Sequence, residues 1–543
     1  MNEWQTKDEL TDLLCSLVQC QSITDSEAEI AMAENLHSLL VQKSYFKTNP
    51  DHLKLHPLHD GRRLITALVK SAADTKETVI LLSHFDVVGV EDYGSLKNLA
   101  FQPKELTEEI KNSIDQMPKT VQYDMENGDW LFGRGTMDMK AGLTIHLSIL
   151  EKAMDGQFDG NILLLSVPDE EVNSKGMLEA LPVLDQIKKE EELTYNACLN
   201  SEPSFSKYPG DPNYYIYTGS IGKILPGFYC YGKESHVGEP FSGINPNLMN
   251  SFLSQEIELN ESFIEKMGDE VTPPPVSLMQ RDLKDEYSVQ TPQAAVSMYN
   301  VLYLKQTVKE LNDKLLKGAE EAAKKADAYV QKKAASFQNN VPDFSFPVSN
   351  VKVMMFEELY AESVKQYGEE EIKRRQNLLV SQRDKGDRDF STLLVQDLAS
   401  LCKDIAPMIV LFYSPPFYPS VSSYNDPYIR NIIDHIQQYS KTMHNINLTE
   451  AAYFTGLSDL SFIGTPSAEN KLEKLTNNLP LQNNGFVLPE DVMEQLTMPV
   501  LNIGPLGKDP HQWTERLEVT YSFKYLPDIL KETIEQLFHQ KNL

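Results

Sequence analysis

Residues 78–88 read TVILLSHFDVV, a compact apolar, β-branched run from Thr78 to Ser83 that breaks into His84, with Asp86 two residues on. A short continuous apolar run of this kind is the signature of a strand buried on both faces. In open α/β sheets ligands bind beyond the carboxyl ends of such strands, where His84 and Asp86 fall. The same pattern recurs along the chain. NILLLSV (161–167) runs into PDEE, presenting Asp169, Glu170 and Glu171, and NACLN (196–200) runs into SEPS, with Glu202. PVLNIG (499–504) leads into GPLGKDPHQWTE, which carries His511. In the Gly-rich turn GRGTMDMKAG, Asp138 stands where the helical stretch MKAGLTIHLSILEKAM begins.

Outward from these runs, residues from about Glu9 to Val41 show helical spacing with a polar break at SITDSE. A Leu-rich helix separates NILLLSV from NACLN, and another is expected from about Asp528 to Gln540. Short apolar strands alternating with helices predict an α/β fold, a mixed and largely parallel sheet flanked by helices. The middle of the chain differs. YYIYTGSIGKILPGFYCYG and AAVSMYNVLYL have the looser alternation of half-exposed strands around the loop TPPPV. A charged amphipathic helix spans Lys305–Gln338, a second helical region Phe356–Cys402, and YSPPFYPS closes the segment. The expected organisation is one α/β domain built from residues 1–212 and 421–543, interrupted by a helix-rich α+β insertion at 213–420.

With 50 basic against 79 acidic residues the formal charge is -29, which repels phosphate and argues against nucleic acid or an anionic membrane as partner. The longest apolar stretches are too short to span a bilayer. Five scattered cysteines without a CxxC pair exclude a Cys-type zinc site and a disulfide framework. The N-terminal MNEWQTKDELTDLL lacks the basic-then-apolar order of a secretory signal, so a cytoplasmic location is expected.

Taken singly the polar motifs are weak. HxD after a strand is commonly a turn, DEE commonly opens a solvated helix, and GRGTMD has neither phosphate-loop spacing. Their joint occurrence, each at the end of an apolar run, suits a metal site.

SHFDVV, GRGTMDMKAGL, PDEEVNSKG, NSEPS, YGKESHVGEPFSGINPN, GLSDLSF and GPLGKDPHQWTE together resemble the co-catalytic zinc peptidases and deacylases, a family that includes aminoacylase, acetylornithine deacetylase, succinyl-diaminopimelate desuccinylase and carboxypeptidase G. The length and enlarged middle segment are most similar to the RocB-type arginine-utilisation proteins. The resemblance implies a phosphorylase/hydrolase-like catalytic domain with an inserted lid, and two zinc ions (Zn2+) per chain, with cobalt or manganese as alternatives. It implies that Asp138 bridges the metals, that His84 and Glu202 complete one, and that Glu171 and His511 complete the other. Glu170 is then the general base for a water held between the metals, Asp86 orients His84, and His236 of GKESHVGEP donates to the developing oxyanion. Asp459 of GLSDLSF matches a motif near the site without an assigned step. The implied reaction is amide hydrolysis of an N-acyl amino acid or small peptide, within arginine catabolism. The alternatives are a non-catalytic homologue that binds a metabolite or partner, and a hydrolase with one metal.

One departure stands out. No residue of the insertion matches the arginine with which the family clamps a substrate carboxylate; Arg281, Arg374, Arg375, Arg383 and Arg388 are the available substitutes. The insertion is also about twice the family's usual size, filling the space of a second subunit's lid, so a monomer is expected alongside a homodimer.

Overall fold

The structure is a computed structural model that describes residues 3–208, 211, 213–268, 270–341, 344–347, 349–454, 456–466 and 472–539. The chain forms two compact units. The first comprises Met1–Ile221, Val421–Thr465 and Asp491–Leu543, the second Gly222–Ser420 and Pro466–Glu490.

The first unit is built on an eight-stranded sheet in the order Leu53–Pro57, Arg63–Val69, Asn161–Val167, Glu77–His84, Thr194–Asn200, Val500–Asn502, Tyr214–Tyr217, Leu448–Ala451. Four of its seven pairings are parallel, including the central ones on either side of Glu77–His84. Asn161–Val167 is buried at every residue and Glu77–His84 at all but its first, as their unbroken apolar sequences require. The helix Lys140–Met154 is buried almost throughout. Helices Lys7–Gln19, whose start is closed by a Thr6–Glu9 capping box, and Glu27–Leu40 flank the polar break seen in the sequence. Tyr214–Tyr217, read from sequence as the start of the insertion, pairs instead within this sheet, parallel to Leu448–Ala451. A separate three-stranded sheet joins Gly507–Lys508, Arg516–Glu518 and Trp130–Phe132.

The second unit holds a sheet ordered Val276–Asp282, Ala294–Tyr303, Pro226–Tyr231, Met408–Tyr413, Lys352–Met355, with Gly222–Ile224 also pairing to Ala294–Tyr303. The half-exposure expected of YYIYTGSIGKILPGFYCYG and AAVSMYNVLYL is not what their strands show. Pro226–Tyr231 is buried at every residue and Ala294–Tyr303 at all but two. Tyr229, Tyr231, Val296 and Met298 pack on one face against Phe356, Leu359, Val395 and Leu398. On the other face Asn250, from helix Pro246–Ile257, donates to the Val296 carbonyl, and Phe228 meets Tyr299 edge-on. Helices thus cover both faces, and only the edge strand Val276–Asp282 keeps exposed apolar positions. The five cysteines are free thiols, and no described helix is long and apolar enough to cross a membrane.

Candidate active site

Parallel register brings the strand ends of the first unit level with one another. His84 lies opposite Val167, Leu82 opposite Asn200, and Asn502 opposite Asn200. The residues that follow His84, Val167 and Asn200 therefore emerge on one edge. His511 arrives by another route. It stands in the connection of a hairpin between Gly507–Lys508 and Arg516–Glu518, rather than directly after Val500–Asn502. Its backbone has φ 59° and that of Asp509 φ 57°, left-handed values that L-residues adopt at a cost.

The two routes meet at Asp138. Its Oδ1 lies 3.3 Å from His84 Nε2, and its Oδ2 lies 3.3 Å from His511 Nε2. Around His84 Nε2 stand Glu202 Oε1 at 3.6 Å and Glu170 Oε2 at 3.9 Å. Glu171 Oε2 is 2.9 Å from His511 Nε2. Atoms of His84, Asp138 and Glu171 fall within 4.8 Å of one another. The site thus has two halves that share one carboxylate. The imidazole of His84 is 1% exposed and that of His511 48%.

Asp86 ties the turn of Glu170 and Glu171 to His84. It accepts the backbone N–H groups of Glu170 at 3.1 Å and Glu171 at 3.3 Å, and the Thr24 hydroxyl at 2.9 Å. His84 Nδ1 lies 3.1 Å from the Asp86 carbonyl and 3.4 Å from its carboxylate. The turn is braced from behind by Arg62, which reaches Asp169 at 2.9 Å and buried Glu29 at 3.2 Å.

Burial lifts Glu170 and Glu202 well above the usual carboxylate range, and raises Glu171 too. Burial works the same way on Asp138, yet the flanking imidazoles of His511 and His84 hold it well below that range. Asp138 and Glu171 beside it raise His511 to about 10. Burial disfavours charge on His84, but Glu202, Asp138, Asp86 and Glu170 outweigh it and push it well up. The fully buried His84 Nε2 makes no hydrogen bond among the described residues. A closely spaced set of imidazole and carboxylate donors with an orphaned ring nitrogen fits divalent cations of the zinc, cobalt or manganese type.

Residues 80–472 match the model of peptidase family M20/M25/M40. This chain belongs to that family. It is 53% identical to the uncharacterised protein YqjN of Bacillus subtilis over 99% of this chain and 98% of that one. It is 31% identical to protein RocB of Bacillus subtilis, covering 97% and 94%. Among solved structures, aminopeptidase PepT of Bacillus cereus superposes with TM-score 0.53 at 12% identity, covering 98% and 100%. The YXEP protein of Bacillus subtilis, a dinuclear metal-binding peptidase of the M20 family, superposes with TM-score 0.51 at 10% identity, covering 99% of both chains. At such identities the likeness speaks for the M20 fold alone.

Beside the M20 motifs stand residues that the sequence reading passed over. Glu515 ends the same GPLGKDPHQWTE motif as His511 and is fully buried, and Arg134 of the GRGTMD turn is its ion-pair partner at 2.7 Å. An isolated arginine and an isolated glutamate look like surface charges in sequence; only their proximity in apolar surroundings marks them. Asp459 is buried in the first unit and pushed up to about 7 by burial. His236 lies in the second unit, exposed, with Nδ1 accepting the Gly238 N–H at 3.1 Å. Of the substitute arginines, Arg281 pairs with Asp389, Arg374 with Glu371, Arg375 with Asp397 and Arg383 with Asp387, while Arg388 is exposed.

Proposed function

We propose that the chain is a dinuclear metallohydrolase that cleaves the amide bond of an N-acyl amino acid or small peptide. The observation that carries this reading is Asp138, one oxygen toward His84 and the other toward His511. His84 and Glu202 would hold one cation, Glu171 and His511 the second, and Asp138 both. Such a pair supplies Lewis-acid polarisation of the scissile carbonyl and makes water acidic enough to attack at neutral pH. Glu170, 10% exposed beside His84, takes the proton of the attacking water and returns it to the leaving nitrogen. Asp86 keeps His84 and the Glu170 turn in register. His236 of the GKESHVGEP motif is the donor to the developing oxyanion in this reading. The RocB-type resemblance supports arginine catabolism as the setting.

Glu170→Gln should keep its metal while losing ~10²–10⁴-fold in turnover; unchanged turnover on a substrate accepted by the wild type removes Glu170 as the base. A non-catalytic binding protein is the second reading, favoured by the pairing of four of the five substitute arginines with nearby carboxylates. Metal uptake without hydrolysis across a panel of acyl-amino acids and dipeptides would select it.

A further inference from the structure

The hairpin that carries His511 and the turn that carries Asp138 are joined at their bases. The ladder pairs Arg516 with Phe132, and beyond it the Gly133 N–H donates to the Glu515 carbonyl at 3.2 Å. From there one segment runs on to Asp138 and the other back to His511, and the side chains of Arg134 and Glu515 pair between them. Arg134 donates to Glu515 at 2.7 Å and to Asp92 at 3.0 Å, with its guanidinium 5.3 Å from the Tyr93 ring centre. The arginine side chain is 1% exposed and that of Glu515 is fully enclosed. The other Glu515 oxygen accepts the Met137 N–H at 3.4 Å, one residue before Asp138. Asp509 closes the hairpin from within, accepting the Thr514 hydroxyl at 2.8 Å and pairing with Arg516. Asp124 holds Arg516 at 2.7 Å from outside.

We infer that the Arg134–Glu515 pair is a positioning device that fixes His511 against the outer oxygen of Asp138, and so sets the affinity of one of the two metal positions. The inference rests on the dinuclear reading above. Neither residue touches the reacting atoms. Arg134 and Glu515 act through the two ligands, in the way that groups behind a metal's own ligands ordinarily tune its binding. His84 and Glu202 are carried by sheet strands away from the clamp and Asp138 keeps its contact with His84, so the loss is felt most at the position that His511 serves.

Titration of metal-free protein with cobalt, followed by visible absorption, separates the two equivalents. Glu515→Gln keeps the shape and removes the charge, Arg134→Lys keeps the charge, and Glu151→Gln weakens the partly buried Lys43–Glu151 pair of the same unit as a control for mere destabilisation. In Glu515→Gln the first equivalent should bind as in the wild type. The dissociation constant of the second should rise by ~10–100-fold with an altered cobalt spectrum; Arg134→Lys should restore most of the affinity relative to Arg134→Met, and Glu151→Gln should change neither constant. If Glu515→Gln does not fold by circular dichroism, the lysine variant alone carries the test through a smaller rise confined to the second constant. Two constants that shift equally, or a second constant that does not move, overturn the clamp. A wild-type chain that takes up no cobalt overturns the dinuclear reading beneath it.

Discussion

The two halves of the site are made of the same residue types and built in opposite ways. His84 and Glu202, 1% and 5% exposed, stand at and just beyond the ends of adjacent parallel strands that are themselves paired on both sides. Glu171 and His511 stand on a turn and a hairpin tip; His511 is 48% exposed and carries a left-handed backbone. The first half inherits its geometry from the sheet. The second has to be held by side chains: Asp86 and Arg62 behind the glutamate turn, Asp509, Arg516 and Glu515 behind the histidine. Precision delivered by a sheet is cooperative with the whole fold, whereas precision delivered by a few ion pairs opens locally. The comparison therefore predicts unequal metal affinities, tight on the strand side and weaker on the hairpin side.

The glycines on each side offer the sharpest contrast. A Cβ on Gly504 would lie 1.9 Å from the Glu202 carbonyl, and one on Gly507 would lie 2.6 Å from Cβ of Met137. Gly504→Ala should cost about 1–3 kcal/mol of stability and weaken the tight metal. Gly507→Ala should leave the tight metal in place and loosen the second. Denaturant melts paired with metal titration check both, and equal effects on the two equivalents would erase the proposed asymmetry. A milder test is removal. Graded chelator should take one equivalent before the other, and activity should vanish with the first loss; simultaneous release would argue for one cooperative site.

The smallest effect is acid sensitivity on the strand side. His146 Nε2 lies 2.9 Å from the Ser201 hydroxyl, beneath Glu202, and burial pushes this imidazole down to about 3. Its folded pKa is depressed, so the unfolded chain takes up a proton near the ordinary 6.5 while the fold refuses it. Stability contributed by neutral His146 is present above pH 6.5 and is lost as pH falls toward 3, by at most about 1.4 kcal/mol per pH unit. Urea midpoints between pH 7 and pH 4 should fall less steeply in His146→Gln than in the wild type.

The same contrast explains what the sequence made legible. Strands buried on both faces are continuous apolar runs, so TVILLS, NILLLSV and NACLN could be read as strands together with the polar residues at their ends. The hairpin half has no such frame. Gly507–Lys508 and Arg516–Glu518 are two and three residues long, too short for a periodic signal, so the sequence places His511 after the run PVLNIG and not in the hairpin that carries it. The tyrosines of Tyr214–Tyr217 read in sequence as a half-exposed strand of the insertion, whereas the segment is largely buried and pairs in the large sheet. The Arg134–Glu515 pair joins residues 381 apart in the chain, a contact that neither spacing nor composition announces.

The most direct test of the account is metal content by elemental analysis of wild type, His84→Ala and His511→Ala after dialysis against metal-free buffer and incubation with zinc. The account predicts close to two equivalents in the wild type, retention of one in His511→Ala, and loss of the tight equivalent in His84→Ala. A wild-type protein that binds no metal, or two variants that both keep the wild-type content, would contradict it.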